Sequence, residues 1–393
     1  MRRLFWWLMG LHFGIALGYL GLLIKAAVDG LLWRADFTAF YTGGAIVRQG
    51  LGPHLYDLAL QTRIQQAILG PGRMFYDGVL PFLNPPHFAL VMAPFSLLPL
   101  GPAFWCWIAL QVGILVRVVQ RFHLLSADWE QTERWMLLSA FFAFFPLFLQ
   151  FVHGSLSLFV LWCLTEFYLA LREGKDVRAG VWLALAAVKP QAVLFPALVL
   201  LAGRRWRALG SASATGLVIL GGTVAALGPA IWSDYLQWLA ATSGYLDRFG
   251  VYPEVMYNLK GMLTLWWGAE RASLIQAVSM GALAVGAAGV LALWVRARWA
   301  PQHSGFDLRL AFTLTLGALL SPHQNQQDCL ILVLPIALFY DSLRRIGHLT
   351  RPLTAFLLSW PVLFFLEPFA IRGRLGIRLP VVLMVVLLTW IGV

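Results

Sequence analysis

One acidic residue stands where general-base chemistry is possible at a membrane boundary. Asp36 follows the first long apolar run by a few residues and precedes Phe37, Phe40 and Tyr41, which share one face of a predicted helix. A carboxylate that is partly withdrawn from water has a raised pKa and can accept a proton from a hydroxyl group while competing water is kept away. The alternative is that Asp36 only caps the N-terminus of this helix.

A second polar stretch, residues 321–328, lies between two apolar runs. It reads Ser-Pro-His-Gln-Asn-Gln-Gln-Asp, which is longer and more polar than an ordinary short connection needs to be. The ring of His323 and the amide of Gln324 offer hydrogen-bond donors for sugar hydroxyls or phosphate oxygens. The stretch is equally explained as a polar turn in which Asp328 caps the following helix.

A single lysine, Lys189, occurs near the middle of a long apolar run. A charge at that depth costs about 2.5 to 3.5 kcal/mol on insertion scales, so it usually has a partner. Followed by Pro190 and Gln191, Lys189 is a candidate to meet a lipid-linked phosphate in a cavity. The alternative is an ion pair with a buried acid such as Glu166. His153 and Ser155 form another polar break between apolar runs.

These residues must be positioned by a helical membrane fold. The chain is 60% hydrophobic and 12% charged, with a mean hydropathy of +0.74, too apolar for a water-soluble domain. Lipid cannot satisfy backbone groups, and the apolar runs lack the alternation of barrel strands, so the sequence predicts one all-α membrane domain over residues 1–393. About twelve spans are expected, at 4–27, 83–100, 102–119, 135–151, 155–171, 179–202, 208–228, 272–295, 308–321, 326–341, 352–367 and 379–393.

The positive charges between the runs indicate the orientation of the chain. With a cytoplasmic N-terminus, alternate threading places the arginine clusters at 204–207, 296–298 and 344–351 inside, as the positive-inside rule requires. The arginines within 372–378 fall outside on this count. They indicate either a miscounted span near the C-terminus or contacts with anionic headgroups.

The same threading leaves two long segments outside, 28–82 and 229–271. The first contains candidate interfacial helices lying on the membrane, one of them capped by Asp57. Prolines within the apolar runs, such as Pro190, predict broken helices. Irregular backbone at membrane depth is tolerated only where it is buried or lines a water-filled cavity. A cavity open to the outer face is therefore expected.

Several function classes lose their usual signatures. The net charge of +11 lies in short clusters that report topology, so no nucleic-acid partner is expected. Phosphate-binding glycine motifs, H-E-x-x-H, C-x-x-C and G-x-S-x-G do not occur. We expect no cofactor and no metal, because Arg and Lys can neutralise a lipid phosphate alone.

Four short segments around the predicted spans carry distinctive patterns of residues. They are Asp36, Phe37, Tyr41, Gly50, Leu55, Tyr56 and Asp57; Asn84, Pro85, Pro86 and Phe88 with Pro94, Leu97, Leu98, Pro99 and Trp105; Lys189, Pro190 and Gln191; and Ser321 and Pro322 with Asp328 and Leu330. In this order they resemble glycosyltransferase family 87 of the C-type superfamily, which includes polyprenyl-phosphomannose-dependent mannosyltransferases and polyprenyl-phosphoarabinose-dependent arabinofuranosyltransferases. The first segment is the most specific.

The resemblance implies a membrane glycosyltransferase with a GT-C-like fold and a large first external loop whose leading acid, Asp36, is the catalytic base. It implies that a sugar, mannose or another hexose or pentose, passes with inversion from a polyprenyl phosphate to a hydroxyl of a lipid or glycan acceptor. The active site is expected on the external, periplasmic side of the cell membrane. The expected donor or acceptor contacts are His323, Lys189, Gln191, Arg34, Tyr41, Arg48, Asn84 and Gln324.

Two other classes of protein are compatible with parts of this pattern. A transporter or flippase of a lipid-linked saccharide would also use a lysine at membrane depth and broken helices, but it should show internal repeats, and none is evident. A structural scaffold would leave Asp36, Lys189 and the 321–328 stretch without a purpose.

Overall fold

The computed structural model describes residues 2–32, 35–70, 78–243, 256–372 and 376–391. Within these ranges the regular structure is helical and no strand occurs, so the all-α prediction is confirmed. The helices are α1 (Arg2–Val28), α2 (Asp36–Arg48), α3 (Leu58–Leu69), α4 (Pro86–Met92), α5 (Leu100–Leu125), α6 (Gln131–Phe142), α7 (Phe145–His153), α8 (Ser157–Arg172), α9 (Asp176–Ala186), α10 (Leu194–Ala202), α11 (Trp206–Leu227), α12 (Ile231–Ser243), α13 (Leu259–Trp267), α14 (Ala272–Arg296), α15 (Ser304–Leu320), α16 (Val333–Arg345), α17 (Arg351–Leu358), α18 (Trp360–Arg372) and α19 (Leu379–Ile391).

Five of the described helices are long and apolar enough to cross a membrane, or six if the bent pair α6 and α7 forms one span. Several predicted spans are instead interrupted. The span expected at 83–100 consists of α4 and a short 3-10 turn, Phe95–Leu97. The span expected at 179–202 breaks between α9 and α10, where Pro190 opens another 3-10 turn. A proline removes a backbone donor and clashes with the preceding turn, so it divides a run that hydropathy alone reads as continuous.

Helix α2 lies inside the protein rather than on its surface. Every residue from Phe37 to Ile46 is buried. A Cβ atom added at Gly44 would come within 2.5 Å of the Met92 backbone, so α2 and α4 approach closely because that position has no side chain. The expectation of an interfacial helix is therefore wrong for α2, which is covered by protein on all sides.

Helix α3 forms part of this cover, and its predicted cap is confirmed. The Asp57 carboxylate accepts hydrogen bonds from the backbone N–H groups of Ala59 at 2.8 Å and Leu60 at 3.1 Å. On the buried face of α3, the amide of Gln65 donates to the Thr42 hydroxyl of α2 at 3.2 Å and accepts from the Leu80 N–H at 2.8 Å. These bonds hold α3 against α2 and order the extended chain that leads into α4.

Ion pairs to buried carboxylates fix the helices at other points. The Glu166 carboxylate of α8 receives hydrogen bonds from Arg121 of α5 and Arg178 of α9. Near the C-terminus, the buried guanidinium of Arg378 pairs with Glu367 at 3.3 Å, so Arg378 contacts the protein rather than a headgroup. The Arg372 side chain and Arg374 lie outside what the structure describes.

Candidate active site

The charge in the middle of the 179–202 run has a partner inside the protein. Lys189 stands in the break between α9 and α10, and its ammonium donates to the carboxylate of Asp328 and to the Ser157 hydroxyl, the latter at 3.1 Å. The side chains of Lys189 and Asp328 are only 14% and 6% exposed. Glu166 is therefore the wrong partner, because its carboxylate is taken by Arg121 and Arg178.

Asp328 also closes the turn that precedes its own short helix. It is the third residue of the 3-10 segment Gln326–Leu332, and its Oδ2 atom accepts from the Asn325 N–H at 3.0 Å. Its Oδ1 atom accepts from the Ser157 hydroxyl at 2.8 Å and from Lys189. The N-cap of this segment is Asn325, and Asp328 is the acidic partner of its capping box rather than the cap itself, while the same carboxylate also binds the buried cation.

Asp36 meets this pair through a neighbouring amide. It is the first residue of α2, and Ala35, the capping position, makes no side-chain bond to the helix. The Asp36 Oδ2 atom instead accepts a hydrogen bond from Gln327 Nε2 at 3.2 Å. Because Gln327 directly precedes Asp328, this bond brings the start of α2 beside the Lys189–Asp328 pair.

Two histidines complete the charged centre. Asp36, Asp328 and Lys189 all interact electrostatically with the ring of His153, whose buried Nδ1 atom has no hydrogen-bond partner among the described residues. His323 lies in the loop between α15 and the 3-10 segment. Its burial lowers the pKa of the ring, while the nearby carboxylates of Asp328 and Asp36 oppose this shift. This direction favours the neutral ring of His323, in which one nitrogen donates and one accepts.

The loop that carries His323 is held by the chain that begins α13. The Asn258 side chain donates to the Ser321 carbonyl at 2.9 Å, and the Tyr257 N–H donates to the Gln324 carbonyl at 2.9 Å. Asn258 also caps α13 by accepting from the Gly261 N–H at 2.7 Å. The predicted segment 229–271 is therefore structured where it is described, and part of it positions the 321–325 loop.

The polar break after His153, at the end of α7, also helps to position Asp36. Gly154 ends α7 in the left-handed conformation, with φ of 65°, and its carbonyl accepts from the Trp107 indole at 2.8 Å. A Cβ atom at Gly154 would lie 2.9 Å from the Cβ atom of Phe37. Because Phe37 is the neighbour of Asp36, this glycine lets α2 start directly against the end of α7.

Two more of the predicted residues lie together behind this centre. Gln191 and Gln324 line a small cavity of about 20 Å³, together with Ser321. That volume is enough for a water molecule, and these three polar residues in an otherwise mostly apolar lining offer it hydrogen-bond partners. Both amides share one cavity, although no direct contact joins them to Asp36 in the described structure.

Three of the remaining predicted residues have their described hydrogen bonds elsewhere than at Asp36. The Tyr41 hydroxyl donates to the Leu98 carbonyl at 2.7 Å, and Arg48, at the far end of α2, donates to the Ser96 hydroxyl at 3.1 Å. Asn84 contributes its backbone carbonyl, which accepts from Tyr56 at 2.8 Å. Arg34 lies outside the described residues. Their roles as donor or acceptor contacts stay predictions.

No site role is assigned to His153 from the sequence, although in the structure it interacts with Asp36 and Lys189. The signal was present as a polar His-Gly-Ser break between two apolar runs, but its closeness to Asp36 and Lys189 depends on which helices are neighbours. Within the described ranges, no three His, Cys, Asp or Glu side chains lie close enough to hold a metal ion together.

The architecture is that of a helical membrane protein with a largely buried centre of acids, histidines and one lysine at the start of α2. Residues 82–322, more than half of the chain, match the model of glycosyltransferase family 87. The chain belongs to this family and is a membrane glycosyltransferase. The matched range includes Lys189 and ends before His323, and Asp36 precedes it. Comparison with curated proteins and with solved structures finds no match.

Proposed function

We propose that the protein transfers a sugar, mannose or another hexose or pentose, from a polyprenyl-phosphate donor to a hydroxyl of a lipid or glycan acceptor. The observation that carries this proposal is the Asp36 carboxylate, which is partly exposed and lies beside the Lys189–Asp328 pair through Gln327. A partly exposed carboxylate held by one amide donor suits a general base at a membrane surface.

Asp36 is the base in this mechanism. It accepts the proton of the acceptor hydroxyl as the hydroxyl oxygen bonds to the anomeric carbon. The bond from that carbon to the phosphate oxygen breaks, its electron pair leaves with the polyprenyl phosphate, and attack from the opposite face inverts the anomeric centre. No nucleotide takes part in this step.

Lys189 and His323 are the groups proposed to meet the leaving phosphate. Lys189 uses two of its three N–H donors on Ser157 and Asp328, which leaves one for a phosphate oxygen. Because Asp328 already neutralises its charge, we assign Lys189 to orienting the phosphate more than to supplying net positive charge. His323 adds a neutral N–H donor.

We place this site on the external, periplasmic face of the cell membrane, in a GT-C-like bundle of about twelve spans. The placement is supported by the arginine clusters at 204–207, 296–298 and 344–351, which the positive-inside rule assigns to the cytoplasm. A donor dissolved in the bilayer can then reach Asp36 from the lipid while the acceptor approaches from water.

The test is transfer by the purified protein in lipid vesicles. Polyprenyl-phosphomannose, other polyprenyl-phosphate sugars and GDP-mannose are supplied in turn with glycolipid and oligosaccharide acceptors. We expect product and free polyprenyl phosphate from a lipid-linked donor and none from the nucleotide sugar. Absence of transfer from every lipid-linked donor, with movement of the lipid-linked saccharide across the bilayer, would instead identify a flippase.

Substitution of Gly154 by alanine should separate positioning of Asp36 from simple backbone strain. The alanine must adopt a left-handed conformation, which costs about 1–2 kcal/mol, and its Cβ must displace Phe37. A shift of the base by about 1 Å can lower kcat by about 10²-fold.

The matched control is Gly174→Ala. Gly174 has a similar φ of 69°, but a Cβ there meets no atom within 4 Å. We expect both variants to lose stability in thermal melting and only Gly154→Ala to lose kcat strongly. Equal kcat losses in the two variants would remove Gly154 from positioning Asp36.

A further inference from the structure

A cleft of about 400 Å³ lies outside the centre described above. It is formed between the chain that joins α2 to α3 and one face of α12. Its lining residues are Pro53, His54, Tyr56, Asp57, Asp234, Gln237, Trp238 and Ala241. The volume falls in the range of small-molecule sites in proteins.

The cleft lies at the opposite end of α2 from Asp36. Helix α3 runs back along α2, because Gln65 near its end bonds Thr42 in the middle of α2, so Asp57 at its start lies near the end of α2. A helix of 13 residues is about 20 Å long, which sets the scale of the separation. Close packing of Gly52 against Leu227 ties this end of α2 to the end of α11, directly before α12.

The walls of the cleft offer the groups that recognise sugars. The carboxylates of Asp57 and Asp234 accept hydrogen bonds from hydroxyl groups, and the Gln237 amide both donates and accepts. The helix-capping bonds of Asp57 both go to its Oδ1 atom, so Oδ2 is directed to neither of them. Trp238 adds an aromatic surface for the apolar face of a sugar ring.

The charge of the described lining of the cleft disfavours an anionic ligand. Among the described residues that line it there are two aspartates and no lysine or arginine. A phosphate or a phosphoinositol group would be repelled, whereas a neutral polyol would be accepted. The cleft therefore does not suit the donor phosphate.

We propose that this cleft binds the neutral glycan part of the acceptor, several sugar units away from the hydroxyl that reacts at Asp36. That the bound glycan belongs to the acceptor rests on the proposed function, whereas the binding of a neutral oligosaccharide in the cleft does not. The cleft would favour acceptors long enough to reach from Asp234 to Asp36 over short ones.

Two measurements on the full-length protein in detergent test this. The first is calorimetric titration with a neutral mannotetraose, with mannose and with mannose 6-phosphate as probes. The second is the KM for glycolipid acceptors that carry one or four sugar units. For Asp234→Asn and for Gln237→Ala we expect the Kd of the tetraose and the KM of the long acceptor to rise about tenfold, since the first variant replaces an ionised acceptor by a weaker neutral one and the second removes the hydrogen-bonding amide. The KM of the short acceptor and of the donor should stay unchanged.

Matched controls are available on the same predicted side of the membrane. Asp29→Asn changes an exposed carboxylate at the end of α1, and Gln66→Ala changes an exposed amide on α3. Transfer by the wild type with no change of Kd or KM in the cleft variants, or tighter binding of mannose 6-phosphate than of the neutral probes, would overturn the proposal. Tetraose binding that depends on Asp234, without any transfer, would support the cleft and overturn the proposed function.

Discussion

Asp36→Asn is expected to lower kcat for sugar transfer by about 10²–10⁴-fold, the usual contribution of a positioned general base. The asparagine keeps the size of the side chain, and its oxygen can still accept the hydrogen bond from Gln327 that Asp36 accepts at 3.2 Å. It cannot take a proton from the acceptor hydroxyl. The KM values and the thermal midpoint should therefore change little while kcat collapses, and initial rates of product formation measure this directly.

The control for Asp36→Asn is Asp29→Asn, which neutralises another carboxylate close to the same end of α1. The Asp29 side chain is 37% exposed and pairs only with the exposed Lys25 of its own helix in the described structure. Its substitution should leave transfer within about twofold of wild type, because exposed ion pairs contribute little. Equal activity of Asp36→Asn and wild type would remove Asp36 from the role of base.

Helical class and local capping follow from the sequence because they depend on nearby residues. Hydropathy alone requires helices in lipid, and an aspartate before an apolar repeat predicts the cap that Asp57 makes. Whether other helices enclose a given helix cannot be predicted from nearby residues. The helix of Asp36 shows an apolar face in its sequence, yet it is enclosed on every side, because Gly44 lets α4 approach its backbone.

The need for a partner at Lys189 was predictable, but the identity of the partner was not. An ammonium at membrane depth requires a nearby acid on energetic grounds. Asp328 is 139 residues away along the chain, and Glu166 is closer in sequence. Periodicity reports the depth and the face of a residue, whereas the choice between these acids depends on which helices are neighbours. For the same reason the sequence did not predict a role for His153, because its closeness to Asp36 depends on the packing of helices that are distant along the chain.

Lys189→Met is expected to destabilise the protein by about 3–5 kcal/mol, because it leaves the buried Asp328 carboxylate without its cation. Methionine fills a similar space with an apolar chain, so the loss reports the charge rather than a cavity. The thermal midpoint in detergent should fall clearly. Lys25→Met, which breaks an exposed pair of 2.6 Å on α1, should cost only about 0–1 kcal/mol.

The double variant Lys189→Met with Asp328→Asn separates stability from catalysis. Removing both charges eliminates the unpaired carboxylate, so the double variant should melt at a higher temperature than Lys189→Met alone. Transfer should stay impaired, because the ammonium that orients the donor phosphate is absent and the Asp328 bonds that place Gln327 against Asp36 are weakened. Recovery of both stability and full kcat would show that the pair only holds the helices together, and the donor phosphate would then have to be bound by other cations.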